Sequence, residues 1–128
     1  MSLVDDIAGD IAAMAAPFAV TKDIMPDAPH RVIAVFQSSG RVPDPKKSLG
    51  LDYPALQLRV RGNPHDSAEA AAKAEELHDH LHDRSGLIGS STYISIEADH
   101  SPALFRIDEN GRPEYSLNFR TAREREAA

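Results

Sequence analysis

Three segments of this chain alternate apolar and polar residues with a period of two. Leu56, Leu58 and Val60 alternate with Gln57, Arg59 and Arg61. Ile94, Ile96 and Ala98 alternate with Ser95 and Glu97, and Tyr115, Leu117 and Phe119 with Ser116, Asn118 and Arg120. Successive strand residues point to opposite faces, so each segment predicts a strand with one apolar and one polar side. Arg31-Val-Ile-Ala-Val-Phe36 is almost continuously apolar instead, as in a central strand or one buried on both faces. A sheet with one apolar face needs cover, and that requirement shapes the rest of the reading.

Two segments have the spacing to supply it. Leu3, Val4, Ile7, Ala8, Ile11, Ala12 and Ala15 form one helical stripe, with Ser2 as N-cap, acids at Asp5 and Asp6 in the first turn, and Pro17 as the stop. A second helix is expected from about Ser67 to Arg84. Asp66 and Glu69 suggest a capping box, Ala70, Ala74, Leu77 and Leu81 a stripe, and Gly86 a C-terminal stop. Short strands are expected at Phe18–Lys22 and near Leu104–Ile107, and a tight turn at Asp108-Glu-Asn-Gly111. The resulting expectation is one α+β domain over residues 1–128. It is a two-layer sandwich in which both helices pack on one face of a mostly antiparallel sheet of four or five strands. Residues 37–54 read as a long extended loop, and residues 121–128 as an exposed, charged tail.

Composition narrows the chemistry. The net charge of −6 argues against a freestanding nucleic-acid binder. Without cysteine there is no disulfide, thiolate metal site or cysteine nucleophile. No basic n-region or long apolar run suggests a secretory signal or a membrane span, so a soluble protein made in the cytosol is expected. The carboxylates sit in polar surroundings that give no reason for a raised pKa, and no phosphate-cradling glycine pattern or nucleophile elbow is present. His78 and His82, at i and i+4 on the second helix, have metal-ligand spacing. A third ligand is not evident and the glutamate of zinc hydrolases is missing, so a solvated helix face is the preferred explanation and no metal is expected, with His78 and His82 only weak candidates. Arg59, Arg61 and Arg120 on the polar strand faces, with Arg41, Lys46 and Lys47 in the long loop, are candidates for an interface with a neighbour. Arginine suits such a role because its planar fork pairs with carboxylates, and the acidic first helix offers one complementary surface. Plain solubility is the competing explanation.

Four blocks, in order and spacing, resemble a family of small phage proteins described as minor capsid or tail-terminator proteins. They are Met25-Pro-Asp-Ala-Pro29, Arg31-Val-Ile-Ala-Val-Phe36, Leu51-Asp-Tyr-Pro-Ala-Leu-Gln-Leu-Arg-Val-Arg-Gly62 and Asp108-Glu-Asn-Gly-Arg-Pro-Glu-Tyr-Ser-Leu-Asn-Phe119. The resemblance implies an α/β subunit of the virion neck, with no enzyme activity and no cofactor. It implies assembly in host cytoplasm into a ring, commonly a hexamer, on the last ring of the tail tube. The ring would end tube polymerisation and dock to the head connector, and DNA would pass through its lumen. A head-completion or connector ring, a histidine-based metal-binding module and a non-phage binding module are the alternatives.

Overall fold

The computed structural model of the chain describes residues 2–43 and 50–124. Helix α1 (Leu3–Ile11) is followed by a 3₁₀ turn (Ala12–Met14), β1 (Ala19–Lys22), β2 (Val32–Arg41), β3 (Leu51–Arg61) and helix α2 (Ser67–Leu81). Four strands complete it: β4 (Arg84–Ile88), β5 (Ser91–Ala98), β6 (Ala103–Ile107) and β7 (Pro113–Glu124). The sheet order is β1-β2-β3-β7-β5-β4, and β6 pairs with β7 beyond the end of β5. The α+β class holds, but the sheet has seven strands rather than four or five. It is also mixed, because β1 runs parallel to β2 while the other pairs are antiparallel.

The apolar face follows the sequence alternation closely on β3 and β7. Ile33, Val35, Leu56, Leu58, Val60, Leu117 and Phe119 form one core with Leu3, Ile7 and Ile11 of α1 and Ala70, Ala74, Leu77 and Leu81 of α2. Both helices therefore cover the same face. Ser2 Oγ accepts from the Asp5 amide at 3.1 Å, and an Asp66 oxygen accepts from the Glu69 amide at 3.2 Å. Glu69 makes no return bond in that cap. Its carboxylate instead meets Arg31 at 3.3 Å.

Helix α1 also ties the two ends of the sheet together. Asp5 meets Lys22 of β1 at 2.9 Å. Asp6, buried, accepts from the Tyr93 hydroxyl of β5 at 2.9 Å and from the Ser90 amide at 3.2 Å. Asp10 takes both arms of the Arg84 guanidinium on β4 and lies 2.8 Å from His80 Nε2. The first helix is thus not the free acidic surface expected of it, since its acids are spent on internal ties.

Four further expectations need correction. Within the segment 37–54, the described residues 37–41 and 51–54 are strand, because β2 and β3 run on as a hairpin arm beyond the core. Gln37–Arg41 carries no apolar pattern because it lies exposed, paired with β3 through the ladder and through Arg41 over the Tyr53 ring. Gly40 allows an irregular crossing there, since a Cβ at that position would lie 1.8 Å from the Tyr53 carbonyl oxygen. Helix α2 ends at Leu81, and Arg84 already belongs to β4, which the sequence reading took as helix end and loop. On β5 a register shift between Tyr93 and Ser95 reverses the alternation, so Tyr93 is buried and Ile94 is exposed. Residues 121–124 are not a frayed tail but the end of β7, with Thr121 buried and its hydroxyl donating to the Pro54 carbonyl at 2.6 Å.

Candidate functional site

On the sheet face away from the helices, three of the quoted sequence blocks converge. The loop 23–31 carries Asp27, Pro29 and His30 over the ends of β3 and β7. Arg61 Nε donates to the His30 carbonyl at 2.9 Å and Nη2 to the Pro29 carbonyl at 2.7 Å. Arg112, also buried, donates to the Asp27 carbonyl at 2.6 Å, to the Asp27 carboxylate at 3.2 Å and to Asp108 Oδ2 at 2.7 Å. Asp108 Oδ1 accepts the amides of Asn110 and Arg112. Gly111, at φ 78°, completes this turn against His65, whose ring a Cβ there would meet at 2.7 Å.

The electrostatics match this geometry. Burial alone would raise the Asp108 carboxyl, but the Arg112 amide and guanidinium and the Asn110 amide outweigh it and hold the pKa below the ordinary value. Burial would lower Arg112, but Asp108 and then Asp27 reverse the sign and raise it. Burial, followed by the Arg112 charge, pulls Arg61 below its ordinary value. Asp27, Arg61, Asp108 and Arg112 each hold another part of the chain. This corner is a clasp between distant segments.

This relocates Arg61. It lies on the polar face, as its alternation predicts, but it is only 2 % exposed because the loop 23–31 covers it, so it is no surface contact. Arg59 is half-buried between the rings of Phe105, at 4.5 Å, and Phe36, at 5.6 Å. Its Nε, shielded from water, has no hydrogen-bond partner among the described residues. Arg120 stands exposed, 2.8 Å from Asp99 and 3.6 Å from Glu97. Arg41 lies over the Tyr53 ring at 3.7 Å on the arm. Arg41, Tyr53, Glu97, Asp99 and Arg120 line one open groove of about 390 Å³ between the arm and β5–β7. Lys46 and Lys47 lie outside the described residues. The structure therefore brings Arg41 and Arg120 together, leaves Arg59 apart and removes Arg61.

The histidines divide in the same way. His78 and His82 stack at 5.5 Å between ring centroids, and His82 Nδ1 accepts the Ala98 amide at 3.0 Å. His82 therefore spends one ring nitrogen on the α2–β5 junction. The group of possible ligands that does converge among the described residues is Glu75, His78 and Asp79, at the surface, and it lacks His82.

The strand expected near Leu104–Ile107 is present as β6, but its exposure is not what the sequence suggests. Strand β6 is exposed along its whole length, with Leu104, Phe105 and Ile107 between 50 % and 62 % exposed. The only available signal was an apolar run without the alternation of a half-buried strand.

Among solved structures, the chain resembles one in the virion of a native gene transfer agent (GTA) particle. The TM-score is 0.63 at 16 % identity, covering 93 % of this chain and 85 % of that one. At this identity the likeness concerns the fold. No curated protein matches. The description of the bacteriophage tail terminator proteins matches residues 6–125, which span all but the start of α1 and every strand. On that match the chain belongs to the bacteriophage tail terminator family, structural proteins of the virion.

Proposed function

We propose that this chain is the subunit of a ring that caps the head-proximal end of a phage tail tube. The ring ends tube polymerisation and offers a docking face to the head connector. The observation that carries this reading is the family match across residues 6–125. The geometry supports it in two ways. The polar clusters of the clasp and of α1 satisfy one another, as structural ties do, and the described clefts are open rather than enclosed. What remains outward is suited to contact: the hairpin arm with Arg41, the Arg120–Asp99–Glu97 cluster beside it, and the apolar strand β6. We assign neighbour or tube contacts to Arg41 and Arg120, extend them to Lys46 and Lys47, and leave Arg59 as a secondary contact. The net charge of −6 suits a lumen through which DNA slides without being gripped.

The experiment is electron microscopy of particles made without this protein. Overlong tails, or tails unjoined to heads, are the expected result. Normal tails beside heads that leak DNA would reassign the chain to a head-completion ring. The surface assignment has its own check: Arg41→Glu with Arg120→Glu is expected to cut incorporation into particles at least tenfold while the purified protein melts as before, and unchanged incorporation removes it.

A further inference from the structure

The open edge of β6 and the open edge of β1 have the same level, similar lengths and opposite positions in one sheet. The ladder shows the level. Ala19 lies opposite Val32, Val32 opposite Arg61, Arg61 opposite Glu114 and Glu114 opposite Arg106. A second row runs Thr21, Ala34, Arg59, Ser116, Ala103. Strands β1 and β6 have four and five residues. Strand β4 does not cover β6: its Arg84 pairs with Ile96, which lies opposite Thr121, so β4 sits toward the other end of β7. Among the described residues no strand pairs with the outer edge of β6, which leaves a notch there, in line with β4.

Strand directions add a second constraint. Strand β1 is parallel to β2, and β2 is parallel to β7 through two antiparallel steps, whereas β6 is antiparallel to β7. A copy displaced along the sheet, in the same orientation, would therefore bring its β1 antiparallel to β6 without a shift along the strands. Antiparallel is the more stable pairing. The side chains agree. Leu104, Phe105 and Ile107 at one edge, and Ile24 just after β1 at the other, are each about half exposed or more. A bare, apolar edge strand is an aggregation hazard that proteins normally blunt, so its retention calls for an occupant.

We infer that the notch beside β6 receives β1 of a second copy of this chain, so that one sheet continues from subunit to subunit. The chain itself supplies both halves of the match, which makes the contact head-to-tail, the class that closes into a ring when each step adds the right rotation. The inference rests on the ring reading above and names the surface that builds it.

The chain has no cysteine, so introduced thiols report alone. Thr21 and Ala103 share one face and one row. Particles assembled with Thr21→Cys and Ala103→Cys together, treated with a short bis-maleimide, are expected to yield a ladder of covalent multimers of this chain, and each single variant only monomer. Monomers alone from the double variant, or cross-links to a different protein, overturn the inference. Leu104→Lys gives an independent arm. The purified protein is expected to keep its far-ultraviolet circular dichroism and melting profile while its incorporation falls at least tenfold. Wild-type incorporation overturns the inference. In either failure the tail-length phenotype without the protein still tests the ring separately.

Discussion

Asp108 is the residue on which most of the outer clasp converges. It accepts two amides and one guanidinium, and Arg112 then reaches across to Asp27. Removing one partner of a buried ion pair leaves an uncompensated charge, which costs more than the pair gains. Asp108→Ala is therefore expected to destabilise the domain by about 3 kcal/mol in urea unfolding. Asp108→Asn, which can still accept hydrogen bonds, should lose clearly less. The turn itself was legible in Asn110-Gly111, because positive φ at Gly111 is a local property. The burial of Arg61 and Arg112 was not, because their acceptors at residues 27, 29 and 30 lie thirty or more positions away in the chain. Period-two spacing placed Arg61 on the correct face and said nothing of the loop that crosses it.

Among the elements, α1 departs most from its sequence reading. Its apolar stripe was plain, and Leu3, Val4, Ile7, Ala8 and Ile11 are buried as that stripe predicts. Its acids looked like an outward face and are instead a row of ties to β1, β5 and β4. Burial would raise the Asp10 carboxyl, yet hydrogen bonds from Arg84 and His80 hold it lower than usual, and Arg84 is raised in turn. Asp10→Asn should weaken the hold on β4 by about 1–2 kcal/mol, the scale of a charge-assisted hydrogen bond. The measurement is amide hydrogen exchange. Protection is expected to fall at Arg84–Ile88 and to stay unchanged in the centre of β3 and β7. Strand β4 itself has no readable pattern, because one edge strand with exposed Gly86 and Leu87 buries little more than Ile88.

The acid response belongs to the folded molecule, because its carboxylates are tied across elements. Asp10 and Asp108 both sit below the ordinary 3.8. A carboxyl lowered on folding binds its proton less readily in the native state than in the unfolded chain. Its contribution is complete above the ordinary value and is lost as pH falls through the lower, folded one. The melting temperature is therefore expected to decline below about pH 4, with a shallower decline in Asp10→Asn and Asp108→Asn. Melting profiles of the three proteins at pH 3 and pH 7 check this.

The alternating segments and helical stripes carry local, periodic information. That was enough for the α+β class, for the apolar faces of β3 and β7, for both N-caps and for the turn at Gly111. Periodicity is a record of burial. Where a strand buries nothing, as on the arm and β6, or breaks phase at a bulge, as at Tyr93 and Ile94, the record is blank or reversed. Strand order, the parallel β1–β2 pair, the internal use of α1's acids and the open edges of β1 and β6 arise only when distant segments meet. Hydrogen-bond partners and sheet neighbours are properties of that meeting, and no single stretch of the chain encodes them alone.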